Sequence, residues 1–371
     1  MASIDAGIGV PFDVRVAGSR PGPKFRTAAV EPHAAPVAAW ADLARRSAGD
    51  NPFFHPDFAL PAIGSLDRGV EILTVAARSG SLAAILPFTE ARLGRIAPAA
   101  RIWTHGYAPL GLPLVHRDGV ADVIEALVHG LAVNRSLVVP DLPLDGPVAA
   151  AFAAIAASEG RPLTVLDRHV RAVLDRDAQS TPDGRQVRPL ADEGAVAVTV
   201  ASTPADVAAA FEAFVVLEAS GWNGRRAAAL ASSAPVAAFA RRAVADAAAA
   251  GTVRVATLAL DGRPIASAIC LLSGATAFIW KIACDEAYAR LAPAAELMLE
   301  FAPRLFAGEP AITRIDSCAT PDRHMIDQLW SGRMELGTLV IGPPGGGIVH
   351  EAGLAAEKAE RRIRRVVRNP R

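Results

Sequence analysis

Three lysines serve a chain of 371 residues: Lys24, Lys281 and Lys358. Arginine supplies nearly all the positive charge, a composition that reflects GC-rich coding rather than chemistry. Acidic and basic residues balance at 38 each, so no overall field draws the chain to nucleic acid, and none is expected as a partner. Cysteine is equally scarce. Cys270, Cys284 and Cys318 are odd in number and lack paired spacing, which argues against a disulfide framework. No His, Cys, Asp and Glu set has the spacing of metal ligands, so no metal is expected. Long apolar runs are missing too. The longest uncharged stretch, residues 264–280, is short for a membrane span and is broken by Ser273-Gly274, so it reads as two strands about a turn. Residues 1–16 lack a basic region followed by an apolar run. No signal peptide is therefore expected, and a cytoplasmic location follows by default.

What is present is ample core material. Hydrophobic residues make up 51% of the chain, enough for two sizeable cores, and the length suits two domains better than one. Residues 1–30 carry Gly and Pro without a clear period and read as a flexible arm. Residues 71–78 and 81–92 read as a hairpin about Ser79-Gly80, and residues 101–115 as one irregular strand. A helix over 120–133 places Val123, Leu127 and Leu131 on one face. Strand 137–140, helix 147–158 and strand 163–166 follow. The polar stretch 175–194, with Pro182, Gly184 and Pro189, reads as the connection between halves.

The second half opens with a strand over 195–201. A helix then starts with Thr203 as N-cap, Pro204 at the first helical position and Asp206 three residues after the cap. Another helix spans 235–250 and stops at Gly251. Strands 253–260, 264–272 and 275–283 make an antiparallel meander about Asp261-Gly262 and Ser273-Gly274. A loop over 284–292, a helix with Pro293 in its first turn, a strand over 312–317, a helix about 322–330 and a strand over 336–341 complete the order. The first half echoes this order in part, which suggests duplication without any residue-level repeat.

The loop that opens the helix at Pro293 is the most informative place for chemistry. A helix N-terminus offers free N–H groups and a positive dipole end, a ready site for pyrophosphate. Arg290, Pro293, Ala294 and Ala295 would form it. The same residues also suit an ordinary β-to-α connection with Arg290 in solvent, and Glu296 competes for the positive end. Glu218 continues the apolar stripe of Val207, Phe211 and Phe214. A carboxylate there is either paired, with Arg225 or Arg226 near in sequence, or raised in pKa, as suits a general base. Lys281 lies within an apolar strand and either reaches a partner or snorkels at the strand end. Asp316 ends a strand, and Asp322 and His324 begin the next helix; His324 suits a base near neutral pH, or Asp322 caps the helix and His324 is merely exposed. Trp222 and Trp330 line an acceptor cleft or fill a core. A Cys nucleophile paired with His324 has no local signature. Residues 358–371 hold seven basic residues and one acid, Glu360. They suit a solvated helix or a weak peripheral contact with an anionic membrane.

Four segments carry a family resemblance: LEASGWNGRRAAAL at 217–230, LDGRPIAS at 260–267, KIACDEAYARLAPAAEL at 281–297 and RIDSCATPDRHMIDQLW at 314–330. In this order they resemble the cellulose-biosynthesis-associated (CelD/BcsL-type) acetyltransferases of the GNAT superfamily, which is related in fold to the peptidoglycan-bridge aminoacyl transferases. The resemblance spans residues 52–342 and is strongest after Leu217. It implies an α/β fold of tandem GNAT-like (acyl-CoA N-acyltransferase) domains, with mixed, mostly antiparallel sheets flanked by helices. The implied layout is a degenerate GNAT-like domain over 31–190, an acyltransferase domain over 191–345 and a basic C-terminal helix over 346–371. The implied reaction moves an acetyl or other acyl group from acyl-CoA to an amine or hydroxyl of a small polar or saccharide acceptor, in exopolysaccharide or envelope biosynthesis. Glu218 or Asp316 would act as base. Tyr288, beside Asp285 in the loop after the meander, would protonate the leaving thiolate. Trp222, Asn223, Arg225, Lys281, His324 and Trp330 would hold the acceptor.

The chain departs from the family pattern twice. Trp222-Asn223-Gly224 stands where Trp-Lys-Gly is usual, which removes a cation. Pro293-Ala294 stands where Pro-Gly is usual, which removes backbone freedom at the phosphate loop. Two other readings stay open. An aminoacyl-tRNA donor would require a basic groove and an inserted helical hairpin. An inactive scaffold of polysaccharide synthesis is favoured by the two departures.

Overall fold

A computed structural model describes residues 24–178, 190–220, 229–319 and 324–368. Two modules share one plan. In the first, β1 (Phe25–Val30) leads to helices α1 (Val37–Arg45) and α2 (Pro56–Leu66). Strands β2 (Glu71–Ala77), β3 (Leu82–Leu93) and β4 (Ala97–Ile102) follow, then a short β5 (Leu114–Val115), α3 (Val120–Leu131), β6 (Ser136–Pro143), α4 (Pro147–Ser158) and β7 (Leu163–Asp175). In the second, β8 (Val196–Ala201) leads to α5 (Pro204–Ser220) and α6 (Ala234–Ala249). The meander β9 (Val253–Leu260), β10 (Arg263–Ser273) and β11 (Thr276–Cys284) comes next, then α7 (Pro293–Gly308), β12 (Arg314–Asp316), α8 (His324–Leu329) and β13 (Gly332–Ile341). Helix α9 (Ile348–Arg368) closes the order. Apart from β5 and α9, the second module repeats the first element by element, so the duplication suggested by order has a structural counterpart.

All strands belong to one 13-stranded sheet, ordered β1-β2-β3-β4-β6-β13-β7-β12-β11-β10-β9-β8, with β5 on β3. The order mirrors about its centre: β1 to β4 match β8 to β11, and β6 matches β12. The final strands change places. First-module β7 pairs with β12, and second-module β13 pairs with β6. The two exchanged strands pair with each other from Gly332↔Val173 to Ile341↔Leu163. Among the described residues only β4–β6 and β11–β12 are parallel.

Local chemistry accounts for the elements. Thr203 caps α5, its Oγ1 accepting from the Asp206 N–H at 3.2 Å and donating to the Asp206 carboxylate at 2.7 Å. Strands β3 and β10 each contain seven consecutive buried residues, because helices cover both faces of the sheet there. On one face Phe58 of α2 meets Phe239 of α6 edge-on at 5.2 Å. On the other face, α7 buries Leu297, Met298 and Phe301 with Ala277 and Ile279 of β11. Each fully buried side chain of this size contributes about 1.5–3 kcal/mol.

Several expectations shift. Residues 25–30 of the expected arm form β1, paired with β2 from Phe25↔Ala77 to Val30↔Ile72. Its four middle residues are exposed, so backbone bonds hold it and no apolar period marks it. The strand expected over 101–115 is two strands separated by a long irregular stretch. β7 runs past its expected end at residue 166 because its exposed middle, Asp167 and Arg168, reads as polar loop. Helices α1 and α2 lie where no element is expected. No described helix is long and apolar enough to cross a membrane.

Candidate active site

The parallel pairing of β11 with β12 spans only Thr276↔Arg314 to Phe278↔Asp316. β12 then ends while β11 continues to Cys284, so a gap opens along β11. The register of β10 on β11 shifts at the same place: Ile269 pairs with Lys281 and Cys270 with Ile279, leaving Trp280 as an extra residue. A bulge of this kind turns consecutive side chains to one face. Trp280 and Lys281 both meet Tyr107 of the first module. The Trp280 Nε1 donates to the Tyr107 carbonyl at 2.8 Å, and the Lys281 Nζ lies 4.8 Å from the Tyr107 ring centroid.

Glu218, 2% exposed, faces the same place. Its Oε2 accepts from the Leu230 N–H at 2.7 Å, and its Oε1 lies 3.6 Å from the Lys281 Nζ. The pairing that burial demands thus includes Lys281, which the sequence places on a different element. Burial, joined by the Glu218 charge, pushes the Tyr107 phenol up, against a hydrogen bond with Ser232. Phe58, His105, Phe239 and Trp280 extend the aromatic wall. Beside it, a cavity of about 240 Å³ between the modules is lined by Asp50, Leu110, Leu112, Phe278, Arg314 and Asp316. A smaller one of about 100 Å³, lined by His55, Phe58 and Leu271, lies among α1, α2 and α6.

The loop after β11 forms the other side of the gap. Asp285 caps a 3₁₀ turn, Glu286–Leu291, accepting from the Ala287 N–H at 3.0 Å and pairing with Arg263 at 2.7 Å. Ala292 is left-handed, with φ 46° and ψ 51°, and its carbonyl accepts from the Ala295 and Glu296 N–H groups. Pro293 has no N–H, and the Ala295 and Glu296 N–H groups are taken by the Ala292 carbonyl, so Ala294 is the first-turn position that can offer an N–H to an anion. Arg290 stands exposed beside this end, 3.3 Å from Glu193. Burial, and then Glu300, push the Glu296 carboxyl up.

Residues 183–324 match the sequence family described as Acetyltransferase (GNAT) domain. The chain carries a GNAT acetyltransferase domain. That domain makes it an acyltransferase by class, with acyl-CoA as the implied co-substrate. No curated protein matches the chain. Among solved structures, the C-terminal domain (DUF2156) of a putative lysylphosphatidylglycerol synthetase from Agrobacterium fabrum is similar, with TM-score 0.53 and 12% identity over 87% of this chain and 95% of that one. FemX is similar with TM-score 0.52 and 9% identity over 82% and 96%. L-PGS from Bacillus licheniformis is similar with TM-score 0.50 and 11% identity over 88% and 97%. At such identities the likeness is one of fold. The fold is tandem GNAT-like: α/β, with a mixed, mostly antiparallel sheet flanked by helices.

The remaining candidates divide. Asp316 is buried, with Oδ2 on the Arg171 Nη1 at 3.2 Å and Oδ1 on the Cys318 N–H at 2.8 Å. Both oxygens are therefore occupied, and the ion pair ties β12 to the exchanged β7. Trp330 does not line the cleft; at 1% exposure it fills the core beneath α7, its Nε1 without a partner. Tyr288 packs on the same core, with the Arg263 guanidinium 6.0 Å from its ring centroid. Desolvation first, and then Asp316, push the Cys318 thiol well up, the reverse of thiolate activation. Trp222, Asn223, Arg225 and Asp322 lie outside the described residues, as does the side chain of His324.

Tyr107 and His105 are the site neighbours that sequence reasoning does not reach. Their only signal is aromatic density in a stretch rich in Gly and Pro. One cluster away from this cleft, Glu125, His129 and Glu159, brings three potential metal-ligand atoms within 4.8 Å. Arg161 already holds one Glu159 oxygen at 2.6 Å, which opposes a cation there.

Proposed function

We propose that the protein transfers an acetyl or other acyl group from acyl-CoA to an amine or hydroxyl of a small polar or saccharide acceptor, in the cleft between the modules. The observation that carries this reading is the bulged end of β11, which keeps its pairing with β10 but parts from β12 after Phe278. It lies between the start of α7 on one side and the buried Glu218–Lys281 pair on the other. The pyrophosphate rests against Ala294 at the start of α7, with Arg290 exchanging Glu193 for phosphate. Backbone N–H groups along the opened β11 polarise the thioester carbonyl. Glu218 accepts the acceptor's proton and Lys281 holds it in place. Tyr288 returns a proton to the thiolate. The acceptor atom bonds the acyl carbon as the C–S bond breaks, so no covalent enzyme intermediate is needed.

Asp316 serves this reading less well than Glu218 as base, since Arg171 and the Cys318 N–H occupy its oxygens. The resemblance to the cellulose-associated family supports a saccharide or envelope acceptor in the cytoplasm, where acyl-CoA is made.

Calorimetric titration with acetyl-CoA tests the donor site. Micromolar binding that weakens about tenfold in Arg290→Glu supports it. Absence of heat and of thermal stabilisation with any acyl-CoA moves the assignment to an aminoacyl-tRNA donor or a scaffold. Given an acceptor, Glu218→Gln is expected to lower the transfer rate by about 10²–10⁴ with acetyl-CoA affinity retained.

A further inference from the structure

The first module contains the counterpart of the donor gap. β4 and β6 pair in parallel only from Ala99↔Ser136 to Arg101↔Val138, as β11 and β12 do. β4 then ends at Ile102 while β6 runs on to Pro143. The connection to the next helix differs between modules. Residues 285–292, eight in number, separate β11 from α7, whereas residues 103–119, seventeen in number, separate β4 from α3.

The longer segment folds back into the gap. The Gly111 N–H donates to the Asp141 carbonyl at 3.3 Å, and a Cβ on Gly111 would stand 2.0 Å from the Pro140 carbonyl oxygen. The segment therefore lies directly against β6, where a pantetheine arm would need to pass. Buried donors pin it there. The Asn51 Nδ2 donates to the Leu110 carbonyl at 3.2 Å and to the Leu112 carbonyl at 2.8 Å. Arg171 donates to the Pro109 carbonyl at 2.7 Å. The register of β3 on β4 is unbroken from Phe88↔Ile102 to Leu93↔Ala97, so no bulge matches the one at Trp280. The same segment carries Tyr107 across to Trp280 and Lys281.

We propose that the first module binds no acyl-CoA and that the segment filling its gap supplies a wall of the second module's acceptor cleft, with Tyr107 selecting a primary amine. This rests on the donor reading above. An aromatic face that already draws one ammonium, beside a buried carboxylate, suits an acceptor that arrives as its ammonium. The ammonium gives one proton to Glu218, the freed amine nitrogen bonds the acyl carbon as the C–S bond breaks, and the nitrogen's second proton passes to the leaving thiolate, leaving a neutral amide and free CoA.

The test uses the full chain. Calorimetry with acetyl-CoA is expected to show a single molecule bound per chain, its affinity lowered about tenfold in Arg290→Glu, an exposed position, without a change in melting temperature. Two molecules per chain, or binding unaltered in Arg290→Glu, would overturn the filled gap. No binding by the unaltered protein would instead sink the donor reading, and this inference with it. CoA release is then monitored with glucosamine, lysine and spermidine. Tyr107→Ala is expected to raise KM for the best of these about tenfold while leaving the acetyl-CoA Kd within about twofold. Tyr107→Phe, which keeps the ring, is expected to stay within about threefold of the unaltered KM. An unmoved KM in Tyr107→Ala, an equal loss of acetyl-CoA affinity, or no turnover of any of the amines would overturn the role of Tyr107.

Discussion

Ala292 holds a left-handed backbone at φ 46° where the donor loop turns into α7. An L-residue pays about 1–2 kcal/mol for that conformation, while glycine adopts it freely. Ala292→Gly is expected to stabilise the protein by up to about 1 kcal/mol, the greater freedom of glycine in the unfolded chain offsetting the remainder. A raised thermal midpoint checks it. His105 is a second residue under constraint. Its Nδ1 accepts from the Tyr107 N–H at 3.3 Å, its Nε2 is buried without a partner, and burial lowers its pKa to about 4. The folded state therefore disfavours the proton. The associated stability is complete above the unfolded value near 6.5 and is lost as pH falls from there towards 4. His105→Asn keeps an acceptor and does not titrate. The unfolding free energy from urea titration is expected to fall less between pH 7 and pH 4.5 in the variant, the difference being on the order of 3 kcal/mol or less. Equal falls in both proteins would show that His105 takes no part.

Among the elements, the segment from Trp103 to Leu112 gives the sharpest contrast. Gly111→Ala drives a Cβ into the Pro140 carbonyl oxygen, whereas Gly106→Ala meets nothing within 4 Å. The first change is expected to cost at least about 2 kcal/mol and the second less than about 0.5 kcal/mol, by denaturant unfolding. The elements of the second half are legible in sequence because each has its own local signal. The α5 cap, the paired turns of the meander and the proline opening α7 need no distant partner. β1 and the outer part of β7 are not legible, because their strand state comes from backbone bonds to neighbours rather than from an apolar period. The bulge at Trp280 is equally silent, since it exists only in the register of β10 on β11.

At the scale of the whole molecule, the exchanged β7 and β13 make two repeats one sheet. The buried Arg171–Asp316 pair crosses the same junction. A buried pair of this kind adds little net stability when intact, but losing one partner costs about 3–5 kcal/mol. Residues 24–178 and 190–368, produced separately, are each expected to lack a cooperative thermal transition and to regain one when mixed. A sharp transition in either fragment alone would show that the exchanged strand is dispensable. The intact chain is expected to unfold in a single transition by calorimetry.

The amino-acid sequence alone determined the two-module size, the element order after residue 195, the loop that opens α7 and the anomalous burial of Glu218. These depend on composition, periodicity and capping, all of them short-range. Tertiary structure decided which residues meet. It made Lys281 a partner of Glu218, placed Trp330 in the core, gave Asp316 to Arg171 and brought Tyr107 from the first module to the second. The reason is physical: a periodic pattern states that a side chain is buried, but the partner that satisfies its charge comes from strand register and from the exchange of β7 and β13, which no local segment encodes.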